Sequence, residues 1–232
     1  MSKKIIVTGG NGRFAEELKK INCPYNFIFR NKNQLNILSV NSIKKNLELY
    51  KPDSVLHLAA LSRPMSIHDT TINKSIDLNI IGTANLVKLC SKKNIKIIFF
   101  STSYVYPGKK GNYKESDALL PWNNYGWSKL GAESSVQMYK NSLIIRACMT
   151  EKPFIHKFAF SNVKSNFIFH EDFAKIFIKL INKRGIINIG GKTQTIYHFA
   201  KKNNKKVKKI KSKGELPLNM DMSLKKCKKL LK

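Results

Sequence analysis

Acidic side chains are scarce in this 232-residue sequence, where 14 Asp and Glu stand against 43 Lys and Arg for a formal net charge of +29. Long apolar runs are missing too. Stretches such as residues 97–100 fall far short of the roughly 20 residues that a membrane-crossing helix needs, so no membrane span is expected. Residues 3–7 read as a strand rather than a signal peptide. The four cysteines, Cys23, Cys90, Cys148 and Cys227, are scattered. They lack the paired spacing of a zinc site and the density of a disulfide scaffold, which predicts no metal and a reducing, cytoplasmic setting. Arginine is rare as well, at five of the 43 basic residues. Arginine supplies the bidentate contacts that read bases, so its scarcity argues against a dedicated nucleic-acid reader. The lysine excess reads as general surface drift, with a weak attraction to polyanions.

What is present is a foldable chain. A hydrophobic share of 42% with 10% aromatics is ordinary for a globular protein. The length suits one large α/β domain, alone or with a small appendage. Strand-like runs at residues 4–8, 26–30, 54–58, 96–101 and 142–146 alternate with helix-like stretches near 13–21, 42–50, 75–92 and 125–139. That alternation predicts parallel β-α-β units, hence an α/β, Rossmann-type doubly wound sheet. After Arg146 the pattern loosens until an amphipathic helix at 171–182 and a short strand at 185–190. We therefore expect a dinucleotide-binding domain over residues 1–147. Residues 148–232 are expected to hold a small, shortened C-terminal substrate lobe and a lysine-rich end, parts of which return to the sheet. From residue 201 lysine is dense, although Leu216, Leu218, Met220, Leu224 and Leu230 offer apolar anchors.

Thr8-Gly9-Gly10-Asn11-Gly12-Arg13-Phe14-Ala15 follows the first strand and opens the first helix, the context that a dinucleotide fingerprint requires. Gly9 and Gly12 allow a tight turn and close approach of backbone to a pyrophosphate, and Ala15 takes the third small position. Asn11, Arg13 and Phe14 join them as expected cofactor contacts. The second strand ends in Arg30-Asn31-Lys32 with no carboxylate, so Arg30 and Lys32 point to the 2′-phosphate of NADPH, with NADH as the alternative.

Tyr125 and Lys129 lie four residues apart and share one face of a helix. A phenol has an ordinary pKa of about 10, and a nearby ammonium favours its ionised form, which makes such a tyrosine a usable acid or base. Thr102, 23 positions upstream, ends an apolar strand, and strand ends are where ligands meet open α/β sheets.

On Ser101-Thr102-Ser103-Tyr104-Val105-Tyr106, the segment through Glu115 to Pro121, and Tyr125 with Lys129, the chain resembles the extended short-chain dehydrogenase/reductases. Within them it looks most like the dTDP-4-dehydrorhamnose reductase group. The resemblance implies that Thr102 hydrogen-bonds the reacting carbonyl, Tyr125 donates the proton, and Lys129 binds the nicotinamide ribose. Asn79 matches the family's helix asparagine that supports the lysine, completing a catalytic set of Thr102, Tyr125, Lys129 and Asn79. In the segment from His57 to Ser62, Ala59 and Ala60 match small residues beside the cofactor, whereas His57 reads as a packed strand-end histidine. His170 matches no motif. Two departures bear on the sugar: Ser103 stands where the reductase group has Asp, and the lobe after Arg146 is short.

The implied activity is an NAD(P)H-dependent reduction of a nucleotide-linked 4-keto-6-deoxy sugar, of the kind that feeds surface-polysaccharide synthesis. Two alternatives remain: a nucleotide-sugar 4-epimerase or dehydratase that retains its NAD, and a non-catalytic NADP-binding partner subunit. The implied partners are a nucleotide-sugar substrate and a second copy in a homodimer.

Overall fold

The computed structural model describes residues 2–232. In chain order the first half runs β1 (Lys4–Thr8), α1 (Arg13–Lys19), β2 (Asn26–Arg30), α2 (Val40–Tyr50), β3 (Ser54–His57), α3 (Ile67–Thr70) and α4 (Ile72–Ser75). A π-helical turn (Ile76–Ile81) leads into α5 (Gly82–Lys92), β4 (Lys96–Thr102) and a 3-10 turn (Ser103–Val105). Then come α6 (Asn124–Gln137), β5 (Ser142–Ala147), β6 (Met149–Thr150), β7 (Phe158–Phe160), β8 (Lys164–Ser165) and β9 (Ile168–Phe169). The chain closes with α7 (His170–Leu180), β10 (Gly185–Ile189), β11 (Gln194–Thr195), α8 (Ile196–Asn203), β12 (Lys208–Ile210) and α9 (Lys225–Leu231).

Six strands form the main sheet in the order β10-β5-β4-β3-β1-β2, every pair parallel. This is the doubly wound α/β sheet expected from the sequence. The order reverses between β1 and β3, which places the crevice for a ligand outside the carboxyl ends of those two strands. Alternate side chains along each strand feed two cores. Ile5, Val7, Leu56, Ile98, Phe100, Leu143 and Ile145 face Phe14 and Leu18 of α1 and Phe173 and Phe177 of α7. Ile6, Val55, Ile97, Phe99 and Ile144 face Leu47 of α2, Leu86 of α5, and Ala132 and Val136 of α6. Both faces are covered, so the strands read as continuous apolar runs.

Local chemistry sets the helix ends. The Ser39 hydroxyl accepts from Ser42 N–H at the start of α2, and Asn123 accepts from Gly126 N–H at the start of α6. Lys51, in the left-handed region at φ 42°, stops α2 ahead of Pro52. The expected single helix over residues 75–92 is instead broken by the π-helical turn at Ile76–Ile81, and the extra residue in that turn falls around Asn79.

After β5 the chain divides its effort. The strand β10 pairs with β5 as the sixth strand of the sheet, and α7 packs on α1. Short two-stranded pairs, β6 with β9, β7 with β12 and β8 with β11, build a cover with its own small core of Phe154, Val163, Ile196, Phe199 and Met220. Of the C-terminal leucines proposed as anchors, Leu216, Leu224 and Leu230 pack against cores, but Leu218 is exposed. No helix among the described residues is long and apolar enough to cross a membrane.

One buried ion pair locks α6 to the sheet. Arg146 of β5 meets Glu133 of α6 at 2.6 Å, with side chains 2% and 0% exposed. The Arg146 guanidinium also donates to the Tyr106 hydroxyl at 2.8 Å and to the Glu115 carbonyl at 3.1 Å. Tyr106 in turn donates to Asn188 Oδ1 at 2.9 Å in β10. Removing one partner of such a pair strands the other charge. Glu133→Gln is therefore expected to cost about 3–5 kcal/mol of unfolding free energy in a urea titration. A loss under about 1 kcal/mol would mean that Arg146 reaches water.

Candidate active site and dinucleotide cleft

The turn after β1 is shaped by what it must clear. Gly9 has φ +68°, and a Cβ there would stand 2.8 Å from the Ala59 backbone nitrogen. Only glycine fits a left-handed residue pressed against a neighbouring backbone. Gly12 N–H closes the turn on Gly9 C=O at 2.8 Å and caps the start of α1 in an extended conformation. A cleft of about 370 Å³ opens here, walled by Gly9, Asn11 and Gly12 on one side and by Leu58, Ala59 and Ala60 on the other, with Lys32 at its end.

The proposed cofactor contacts therefore separate. Gly9, Asn11, Gly12, Lys32, Ala59 and Ala60 line the cleft. Arg30 does not: its guanidinium lies over the Tyr50 ring at 5.2 Å, and its buried Nε has no partner. The Phe14 side chain is core, packed at 5.1–5.2 Å on Phe100 and Phe173, which leaves only its backbone N–H for a ligand. The Arg13 side chain turns to Glu151.

The first shared wall of the cleft is held by a histidine relay. His57 Nδ1 meets Thr8 Oγ1 at 2.8 Å, and its Nε2 meets Thr83 Oγ1 at 2.9 Å. Thr8 Oγ1 also accepts from Ala59 N–H at 3.1 Å. Burial first, and the Lys129 charge second, push the His57 pKa down to about 3. A neutral, doubly bonded imidazole of this kind is a tie between β1, β3 and α5. His170 is likewise packed, 6.1 Å from the Phe14 ring.

Tyr125 and Lys129 emerge from the first turns of α6. Gly126 lets that helix press onto the 3-10 turn, because a Cβ there would lie 2.6 Å from the Tyr104 carbonyl oxygen. The Tyr125 ring is boxed by His68 at 5.0 Å and Tyr104 at 6.0 Å. Burial pushes its pKa up to about 12, against the hydrogen-bonding pull of Thr102 and the charges of Arg63 and Arg13. The phenol is thus a proton donor at neutral pH. The sequence suggested Lys129 as the tuning cation; in the structure the two arginines take that part.

Lys129 is 4% exposed, with its ammonium 4.1 Å over the Phe99 ring. Its pKa is pushed down to about 7 by burial, partly offset by Glu133, whose carboxylate is already committed to Arg146. A buried cation facing an aromatic ring, with no carboxylate of its own, fits a hydroxylated ligand such as a ribose. Asn79 acts one residue away. Its side chain brackets the Leu61 backbone, accepting from N–H at 2.7 Å and donating to C=O at 3.0 Å, and donates to Ser128 Oγ at 2.8 Å. It is a positioning residue that pins the loop after β3 to the helix carrying Lys129.

Sequence reasoning missed Arg63, His68 and Glu151, which stand at the site without belonging to a motif. Arg13 was legible through its place in the glycine turn, whereas nothing in the sequence pointed to Arg63.

The family model of the RmlD substrate binding domain matches residues 3–150. The β subunit of methionine adenosyltransferase 2 from Pongo abelii is 26% identical over 144 residues, covering 58% of this chain and 43% of that protein. A dTDP-4-dehydrorhamnose reductase from Aggregatibacter actinomycetemcomitans is 25% identical over 191 residues, covering 80% and 60%. The chain thus spans about half the length of the relatives it matches. In structure it is similar to dTDP-4-dehydrorhamnose reductase from Bacillus anthracis in complex with NADP, with TM-score 0.87, 20% identity and coverage of 98% and 92%. That likeness shows the fold.

Lys129 offers a direct test of the buried site. Its folded pKa of about 7 lies below the ordinary 10.5, so between those values the unfolded chain binds the extra proton and stability rises with pH. Lys129→Met removes this dependence. The stability advantage of the variant over the native chain is expected to be largest below pH 7 and to shrink as the pH climbs towards 10.5. A pH-independent difference in urea midpoints would show that the ammonium is solvated.

Proposed function

The chain belongs to the RmlD substrate-binding-domain family, and on that premise we propose that it is an NADPH-dependent reductase of a nucleotide-linked 4-keto-6-deoxy sugar. The observation that carries this reading is the buried Tyr125 phenol beside Thr102 on the carboxyl side of the sheet, one helical turn from the buried Lys129. Gly9 and Gly12 cradle the dinucleotide's pyrophosphate, and Lys32, with no carboxylate ending β2, favours the 2′-phosphate of NADPH over NADH. The nicotinamide supplies the hydride when bound.

The chain's own residues do the rest. Lys129 holds the ribose by its ammonium, and the Asn79 bridge fixes where that ammonium stands. Tyr125 gives its proton to the alkoxide that develops at the former keto carbon. Thr102, whose oxygen accepts from Tyr104 N–H at 3.3 Å and whose hydroxyl reaches the Tyr125 phenol, turns that hydroxyl to the same oxygen when a substrate is bound. Burial keeps the phenol protonated at neutral pH, so it holds the proton this step needs. A cytoplasmic setting and a homodimer belong to the same reading, and the four cysteines are all free.

Similarity to a methionine adenosyltransferase β subunit supports a second reading, a cofactor-binding partner subunit without turnover. One assay separates the two. With a panel of nucleotide-linked 4-keto sugars the native chain is expected to oxidise NADPH. Tyr125→Phe is expected to lower kcat by about 10²–10⁴-fold while still binding NADPH, the usual loss for a general acid. Tight NADPH binding with no oxidation of any sugar would instead select the partner-subunit reading.

A further inference from the structure

Two segments that adjoin the cleft lining in sequence meet a third from the cover. Arg13 is the first residue of α1, directly after the phosphate turn; Arg63 lies in the loop that begins with Ala59 and Ala60; Glu151 follows β6 in the cover. Glu151 Oε1 accepts from Arg13 Nη1 and from Arg63 Nη1, the latter at 2.9 Å. Its second oxygen accepts from Arg63 at 3.3 Å and from the Thr150 hydroxyl at 3.2 Å. Two guanidinium groups thus share one carboxylate, and the cluster keeps a net positive charge.

Arginine is the residue type that best matches phosphate, because its planar fork offers paired donors. Both guanidinium charges also reach the Tyr125 phenol. Arg13 directly follows Gly12, and Arg63 lies three residues after Ala60, so the pair flanks in sequence both walls of the dinucleotide cleft. The neighbouring His156 and His170 are held below the ordinary histidine pKa by burial and add no competing charge at neutral pH. Glu151 stays ionised: its pKa falls to about 2, because hydrogen bonds from its own backbone and Arg13 and the charges of both arginines outweigh the cost of burial.

We propose that Arg13 and Arg63 form a diphosphate seat, and that Glu151 is the resident anion which fills it until a diphosphate ester displaces it. The seat rests on the nucleotide-binding reading above. One carboxylate balances only half of the arginine charge, whereas a diphosphate diester carries two negative charges and balances it fully. Displacement also releases the Glu151 carboxylate, at the start of the cover, from both arginines.

The ester has two sources, the dinucleotide and the nucleotide sugar. Inorganic pyrophosphate, NADPH and a nucleoside diphosphate are therefore titrated separately by equilibrium binding against the native chain, Glu151→Gln, Glu151→Asp and Arg63→Gln. Removing the competing carboxylate is expected to tighten pyrophosphate binding by about threefold to tenfold, the scale of partly exposed ion pairs. Arg63→Gln is expected to weaken it, and Glu151→Asp to fall between native and Glu151→Gln. NADPH following pyrophosphate assigns the seat to the dinucleotide, and the nucleoside diphosphate following it assigns the seat to the substrate. Unchanged or weaker pyrophosphate binding by Glu151→Gln overturns the proposal and makes Glu151 a structural clasp. Failure of the native chain to bind NADPH would sink the reductase reading, while the pyrophosphate titration still decides the seat.

Discussion

The buried pair of Glu133 and Arg146 fixes where the chemistry stands. Glu133 lies one helical turn beyond Lys129, and two beyond Tyr125, on the same face of α6. Anchoring it to β5, the strand next to the β10 edge, sets the rotation and height of the helix, and hence the position of both reactive groups over the carboxyl ends of the strands. Burying two charges is costly, and an apolar pair of similar volume would often be as stable. The pair is informative for what it excludes. With Tyr106, Asn188 and the Glu115 carbonyl also satisfied by this network, α6 has one place to sit. It also consumes the carboxylate closest to Lys129, which leaves that ammonium free for a ligand.

Much of this was legible in the sequence because it depends on short-range rules. A glycine turn between a strand and a helix, a tyrosine and lysine four residues apart, and the alternation of strand and helix runs each carry their own geometry. What was not legible depends on partners far apart in the chain. Phe14 follows the phosphate turn yet points into the core, because α7 brings Phe173 and Phe177 against it from some 160 residues away. Arg30 ends the second strand as a cofactor-reading residue would, but Tyr50 offers a ring to stack on and draws the guanidinium aside. The π-helical turn around Asn79 leaves no mark in the apolar periodicity, since its reason is the reach of one side chain to Leu61 and Ser128.

The charge imbalance takes on a different sense once the carboxylates are located. Glu133 and Glu151 hold arginines, Asp53 accepts from Lys4 N–H, Glu115 accepts from Asn188 N–H, and Asp69 holds Asn124 at the head of α6. These five acids place elements, whereas Glu16, Glu17 and Asp172 make only exposed pairs with lysines one helical turn away. Most lysines have no such duty and lie exposed, including those at positions 201, 202, 205, 206, 208 and 209. A surface so charged draws anions from any direction and weakly, with screening that grows with salt. Selectivity for a nucleotide must therefore come from the cleft, where backbone approach and two arginines act at short range.

The short cover follows from how the second half of the chain is spent. The strand β10 and helix α7 complete the main sheet and its core, so only residues 149–168 and 191–223 remain to enclose a sugar. Those segments hold together through two-stranded pairs and a core centred on Phe199, with Asn166 donating to the Gly191 carbonyl and accepting from Met222 N–H. The end of the cover is tied down elsewhere: Asn219 N–H donates to Gly108 C=O, Tyr113 N–H to Asp221 C=O and Ser223 N–H to Tyr113 C=O, and Met222 shares a core with Tyr106 and Tyr113. The Glu151 contact to Arg13 and Arg63 is the charged link between its leading edge and the cleft walls. A ligand that competes for those arginines therefore acts on the cover at this one charged contact, while its apolar core and strand pairs stay as they are.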